Sequence, residues 1–282
     1  QMEYSIWSRR VVDLAAALAR LESEAAAAGL PRPQGAAWHA NLHQKLVPQA
    51  SDAPYLIVAV AGGANMGKST LFNHMVGFPA SRVHHNAAET KHPVCLLPRG
   101  FLARHDLAAV FPGFTLQPWA SEDDAVAEGA PDALIYREDP TGSQPANLVL
   151  LDTPDVDAAL PNNWKLAEAI THASDVVVAL LTQQKYNDEK IRRFFRMAAE
   201  ADKAVLAVVN MVEWPEDREH CLGWLDTFRK GTGATPQHAY AVPRDRAGSR
   251  EGRLTFHPLT PQASDPRTDL AELHFADVKI RS

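Results

Sequence analysis

The stretch Tyr55–Gly77, YLIVAVAGGANMGKSTLFNHMVG, passes from a strand-sized apolar run through a glycine-rich turn into a helix-forming segment. Gly62, Gly67, Lys68 and Ser69 stand in the G-x-x-x-x-G-K-[ST] spacing of a phosphate-binding loop. The glycines let the backbone turn tightly and approach an anion with no Cβ in the way, so successive N–H groups can point at it. Gly62, Gly63, Ala64, Asn65, Met66, Gly67, Lys68, Ser69 and Thr70 are therefore the candidate phosphate cradle. Lys68 brings a mobile positive charge, and the helix N-terminus adds its own partial charge. The Ser69 hydroxyl is placed to hold a divalent cation, so a nucleotide di- or triphosphate with Mg²⁺ is the expected ligand.

Working outward, the 282 residues would hold one large domain with appendages. A hydrophobic fraction of 46% and a charged fraction of 22% are those of a soluble globular chain. The net charge of −6 gives no global basic field, so there is no direct sign of a nucleic-acid partner. Cys95 and Cys221 form no C-x-x-C and argue against a disulfide framework or a structural zinc site. No apolar run is long enough to span a bilayer, no signal peptide opens the chain, and a cytoplasmic location is expected.

Before the loop, Tyr4–Ala28 reads as a helix with Trp7, Val11, Leu14, Leu18 and Leu21 on one stripe. The stripe would pack on the adjacent domain or pair with a partner helix. A weaker helical stretch follows near Ala37–Leu46. After the loop, Phe78–Lys91 reads as a solvated loop beside the nucleotide. His84, His85 and His92 match no zinc spacing. Pro93–Leu97 reads as a short strand, and an insertion at about 99–131 contains a helix near Leu102–Val110. Ala133–Glu138 and Asn147–Leu151 read as the two strands of an antiparallel hairpin around DPTGSQPA. The second is continuously apolar and ends at Asp152, where an acidic side chain would hold Mg²⁺ directly or through water.

Strands Val176–Leu181, Ala204–Met211 and His238–Val242 then alternate with helices near Trp164–Ala173, Asp188–Ala201 and Glu216–Lys230. Residues Arg253–Leu259 offer one more strand before a terminal helix around Leu270–Lys279. The alternation predicts a three-layer α/β fold of the P-loop NTPase kind. Its central sheet would be mostly parallel with one antiparallel strand, covered by helices on both faces and flanked by the N-terminal helix. The expected division is an N-terminal helical segment (1–50), a nucleotide-binding domain (51–260) and a C-terminal helix (261–282). The ligand would sit beyond the carboxyl ends of the strands, where Gly62, Asp152 and Asn210 fall.

Gly62–Asn73, GGANMGKSTLFN, resembles the phosphate loop of Era/TrmE-like and bacterial dynamin-like GTPases, within the translation-factor-related class. Thr90 in TKHPVCLL resembles the switch I threonine of the dynamin-like proteins. The resemblance covers roughly 54–244. It implies GTP and GDP as ligands, Mg²⁺ held by Ser69 and Thr90 with Asp152 behind it, and Lys68 and Thr90 as catalytic groups. It further implies base reading by Asn210 and Glu213, a homodimer through the nucleotide face, and for Asn65 either help in coordinating K⁺ or a role confined to bracing the loop through hydrogen bonds. Membrane contact would come only through regions outside this sequence, since the helical assembly and membrane-binding parts of a dynamin have no counterpart here.

Three positions depart from the pattern. Asp155 stands where switch II carries glycine. Asn210-Met211-Val212-Glu213 replaces N/T-K-x-D, losing the lysine and lengthening the aspartate by one methylene. Ala64 stands where many eukaryotic dynamins carry a catalytic glutamine. The expected activity is a GTP-hydrolysing switch; the alternatives are a nucleotide-binding interaction module with little or no hydrolysis, and an ATPase or phosphotransferase on the same fold.

Overall fold

A computed structural model describes residues 2–31, 37–51, 53–83, 90–157, 161–244 and 253–282. The described residues carry one nine-stranded sheet in the order β3-β4-β2-β5-β1-β6-β7-β8-β9. The strands are β1 Leu56–Ala61, β2 Val94–Leu97, β3 Thr115–Pro118, β4 Ala133–Glu138, β5 Leu148–Asp152, β6 Val176–Leu181, β7 Ala204–Val212, β8 His238–Pro243 and β9 His257–Pro258. Every residue of β1, β5 and β6 is buried, as strands covered on both faces require. Burying each such aliphatic side chain contributes about 1.5–3 kcal/mol relative to exposing it.

β5, β1, β6, β7 and β8 run parallel, so their carboxyl ends converge on one edge of the sheet. This is the expected P-loop fold. The direction reverses between β5 and β2, beyond which β2, β4 and β3 are parallel to one another. β9 adds a second antiparallel pairing at the opposite edge.

The expected hairpin is overturned. β4 and β5 do run in opposite directions, but β2 lies between them and hydrogen-bonds to both. The nine-residue connection, 139–147, therefore crosses about 10 Å, two strand spacings. Asp139 begins it by accepting from Thr141 N (2.8 Å) and Gln144 N (2.8 Å). Gln144 then donates to the Leu96 carbonyl (3.0 Å) of the intervening strand and to the Leu148 carbonyl (2.5 Å). Turn chemistry marks the reversal but does not say what fills the gap.

Helices cover both faces of the sheet. α4 (Lys68–Val76) follows β1 and is closed by Gly77 (φ 84°), whose N–H donates to Asn73 O. α6 (Pro161–Ala173), α7 (Glu189–Glu200) and α8 (Arg218–Thr232) are the crossovers. α7 shows why they form: Asp188 caps the N–H groups of Lys190 and Ile191, and Ile191, Phe194, Phe195 and Ala198 bury one stripe. The expected terminal helix is two short ones, α9 (Pro266–Glu272) and α10 (Phe275–Arg281), broken at the extended residues Leu273 and His274.

The chain divides into two compact units, residues 1–54 with 100–113, and residues 55–99 with 114–282. In the first, α1 (Met2–Ala27) is followed by α2 (Ala37–Asn41), a π turn (Leu42–Leu46) and α3 (Val47–Gln49). The Tyr4 hydroxyl donates to Gln49 O (3.1 Å) and accepts from Ser51 N (3.3 Å). On the α1 stripe Val11 is buried, whereas Leu14 and Leu21 are 49% and 54% exposed. The stripe is thus covered at its start and open further along. Within the expected insertion, the helix shortens to α5 (Leu107–Val110), and Thr115–Pro118 forms the edge strand β3, which its mostly exposed residues had concealed.

Candidate nucleotide site

The whole predicted cradle lies in the second unit. β1 ends at Ala61, the loop turns through Asn65 (φ 59°) and Gly67 (φ 93°), and α4 starts at Lys68. Gly62 is held to glycine by the backbone of β6, whereas Gly63 faces the Asp157 side chain. A Cβ on Gly62 would stand 3.0 Å from Leu180 O, and one on Gly63 would stand 2.7 Å from Asp157 Oδ2. Gly63 N donates to Met66 Sδ (2.9 Å), so Met66 braces the turn from inside. Ala64 is half-buried and Asn65 exposed at the rim.

Asp152, at the end of β5, is wholly buried beneath the start of α4. Its Oδ2 accepts from the hydroxyls of Ser69 (2.7 Å) and Ser81 (2.7 Å). Its Oδ1 has no hydrogen-bond partner among the described residues. Burial pushes the Asp152 carboxyl above its ordinary value, against the hydrogen bond from Ser81, the charge of Lys68 and the hydrogen bond from Ser69. A serine hydroxyl beside a carboxylate oxygen without a partner is a hard-oxygen donor set, and it fits Mg²⁺, which takes one or two protein ligands with the rest from phosphates and water. No group of three or more His, Cys, Asp or Glu that could cage a metal occurs among the described residues. Ser81 was not visible as a site residue in sequence. It is placed by Asn73, whose Nδ2 donates to Ser81 O (2.7 Å) while its Oδ1 accepts from Ala80 N (3.0 Å) and Ser81 N (2.9 Å).

The expectation of a mobile charge on Lys68 is corrected. Lys68 is buried, its Nζ donating to Gly63 O at 2.9 Å and pairing with Asp155 Oδ1. Asp155, the residue in the switch II glycine position, therefore points at the loop lysine. A second carboxylate from the same segment, Asp157, accepts Ala64 N at 2.6 Å on Oδ1 and Lys185 Nζ at 2.5 Å on Oδ2. Lys185 also donates to Ala64 O at 3.0 Å. Burial pushes the Asp157 carboxyl up, but the Lys185 hydrogen bond, the Ala64 N–H and the Lys185 charge together hold it below its ordinary value. Lys185 follows β6 and escaped the sequence reading because no motif marks it.

At the base end, Asn210 Nδ2 donates to Met66 O (2.8 Å). Met211 breaks the β7–β8 register with φ 62° and is 37% exposed. Glu213 is exposed, and its backbone N–H donates to Asp217 Oδ2 (2.9 Å). Thr90 is buried, and its carbonyl accepts from Asn163 Nδ2 (3.4 Å) on α6. Among the described residues it makes no hydrogen bond to Ser69 or Asp152. His84 and His85 lie outside the described residues. His92 is buried beside Ala127 O (3.1 Å), rather than in a solvated loop.

A mostly parallel sheet with a glycine-rich loop between its first strand and a helix, and a carboxylate behind that helix, defines a P-loop nucleotide-binding domain. The profile of the 50S ribosome-binding GTPase family matches residues 57–211, and the chain belongs to that family. Comparison with curated protein sequences returns no match. Among solved structures, the chain is similar to Era in complex with MgGDPNP and nucleotides 1506–1542 of 16S ribosomal RNA, at 16% identity and a TM-score of 0.42, over 75% of this chain and 61% of that one. It is also similar to a variant of Aquifex aeolicus Era bound to GDP and AlF₄⁻, at 15% identity and a TM-score of 0.43, over 67% of this chain and 51% of that one. The chain thus spans less than two thirds of either solved protein.

Proposed function

We propose that this chain binds GTP with Mg²⁺ in the cradle Gly62–Thr70 and hydrolyses it to GDP and phosphate. The observation that carries the reading is the Asp152 cluster: a buried carboxylate directly behind Ser69 with one oxygen unpartnered, at the foot of the loop. Ser69 and Asp152 would hold the cation, with Thr90 joining them from switch I. When bound, Mg²⁺ would neutralise charge on the phosphates. The chain's own residues do the positioning. Lys68 would exchange Asp155 for phosphate oxygens, the loop N–H groups would hold the phosphate chain, and the Thr90 backbone would orient the attacking water. Catalysis of this kind rests on placement and charge, so the alanine at position 64 does not forbid it. Asn210 and Glu213 would read guanine, Asn65 would help hold a K⁺ ion, and pairing through the nucleotide face would accelerate turnover.

One observation favours a second reading, a nucleotide-binding module with little hydrolysis: the Asp155 carboxylate already occupies the Lys68 ammonium. Titration of the protein with GTP, GDP and ATP, followed by phosphate release under saturating nucleotide, tests both. GTP binding lost in Lys68→Ala, together with measurable turnover in the parent, supports hydrolysis. Tight GTP binding without phosphate release supports the module, and absence of GTP binding overturns both.

A further inference from the structure

Ala64 and Lys185 bind an anion that the chain itself supplies. The Asp157 carboxylate presents one oxygen to a loop N–H at 2.6 Å and the other to an ammonium group at 2.5 Å. That pairing of a backbone donor with a lysine is what a phosphate-binding loop offers a phosphate. The same segment lays Asp155 on Lys68, so two carboxylates two residues apart meet two lysines of one cradle. Lys185 cannot be explained as a surface counter-ion alone. Its Nζ also donates to Ala64 O at 3.0 Å, which fixes the ammonium against the loop rather than leaving it to follow the carboxylate. A phosphate oxygen arriving at Ala64 N–H would displace Asp157 and meet an ammonium already in place.

We propose that Lys185 is a second phosphate-binding lysine of this site and that Asp157 is an internal competitor for the same two donors. The proposal rests on the nucleotide-binding reading above and deepens it. Its energetic consequence is unusual for an acidic residue next to a ligand. Removing Asp157 strengthens nucleotide binding, because phosphate no longer has to displace a carboxylate from a charge-assisted pair. Removing Lys185 weakens binding whether or not Asp157 is present. A lysine that merely neutralised Asp157 would lose its importance once that carboxylate was gone.

The experiment is a double-mutant cycle in GTP affinity on the full chain, with Asp157→Asn, Lys185→Gln and the pair, each checked for folding by thermal melting. Asp157→Asn is expected to tighten GTP binding several-fold. Lys185→Gln is expected to weaken it about tenfold in both backgrounds, the scale of one charge-assisted hydrogen bond. Lys185→Arg is expected to restore most of the loss. If Asp157→Asn fails to fold, Asp157→Ser keeps an acceptor for Ala64 N–H and carries the same expectation. A Lys185→Gln effect that vanishes in the Asp157→Asn background, or GTP binding that is unchanged or weakened by loss of Asp157, overturns the proposal. Lys68→Ala separates the two levels. Binding lost there but insensitive to Lys185 leaves the nucleotide site standing and removes only this inference, whereas a parent chain that binds no GTP removes both.

Discussion

Asn210 donates its side-chain amide to the Met66 carbonyl at 2.8 Å, tying the end of β7 to the phosphate loop across 144 positions of sequence. The same amide explains Gly67, where a Cβ would stand 2.5 Å from Asn210 Nδ2 on a backbone with φ of +93°. Gly67→Ala is expected to cost roughly 1–3 kcal/mol of stability from backbone strain and to abolish GTP binding. Thermal melting and GTP titration check it, and a Gly67→Ala chain that binds GTP normally contradicts the geometry.

Asp155 and Lys68 are both buried, at 5% and 4% exposure, so each neutralises the other where water cannot. Asp155→Gly, which installs the residue common to the wider GTPase pattern, strands the ammonium. It should cost the nucleotide-free protein about 1–3 kcal/mol, the desolvation penalty of an unpaired buried group. It should also tighten GTP binding, because phosphate then meets no carboxylate competing for Lys68, which keeps only the neutral Gly63 carbonyl. Melting curves with and without GTP would show a lower midpoint for the free variant and a larger shift on adding nucleotide. A smaller shift than in the parent refutes the competition.

Base selection is expected to favour guanine over adenine, with Glu213 as the reader and Met211 covering one face of the base. A site whose polar groups are matched to one base rejects another because those groups are left unpaired. Glu213→Ala should bring GTP and ATP affinities together while leaving the phosphate cradle unchanged. Retention of a full guanine preference in that variant assigns the reading elsewhere.

Asn65 sits exposed at the rim of the loop with φ of 59°, and its amide is expected to help hold K⁺ when nucleotide is bound. Hydrolysis should run faster in K⁺ than in Na⁺ at equal ionic strength, and Asn65→Ser should erase the difference while sparing nucleotide affinity. Rates should be measured across protein concentration, since pairing through the nucleotide face is expected to raise turnover per molecule. Equal rates in both salts at every concentration dismiss the ion, and flat turnover per molecule dismisses the pairing.

Asp269 ties α9 to β8: it accepts from Ser264 N (2.9 Å), Ser264 Oγ (2.6 Å) and the Tyr240 hydroxyl of β8. Burial pushes its carboxyl up, but these hydrogen bonds outweigh burial and hold it below the ordinary 3.8. A carboxyl depressed by folding contributes stability that is present above its unfolded value and lost as pH falls through its folded value. The melting-point gap between the parent and Asp269→Asn should be widest near neutral pH and should close in acid, below the ordinary carboxylate range. A gap independent of pH would mean that Asp269 acts through packing alone.

Much of this architecture is written locally. A loop of G-x-x-x-x-G-K-S, a continuous apolar strand before it, a helix after it and strand–helix alternation are short-range patterns, because hydrogen bonding and side-chain burial within a strand or helix repeat over a few residues. They determined the fold class and marked the candidate cradle from Gly62 to Thr70 and the acidic end of β5 at Asp152, whereas the departures at Asp155 and Met211 stand out only against the GTPase pattern that the chain resembles. Local pattern could not show that β2 threads between β4 and β5, since a turn such as DPTGSQPA reverses the chain without specifying its neighbour. Nor could it find β3, an edge strand with too little buried surface to impose alternation.

The charges of the site were decided by tertiary structure alone. Lys68 and Asp155 lie 87 positions apart, and Ser69 and Asp152 lie 83 apart. Lys185 reaches Ala64 from 121 positions away. Each of these residues is an ordinary polar side chain in sequence. Only the parallel run of β5, β1, β6 and β7, which brings their carboxyl ends to one edge of the sheet, puts them within hydrogen-bonding distance, where low dielectric makes the choice of partner matter.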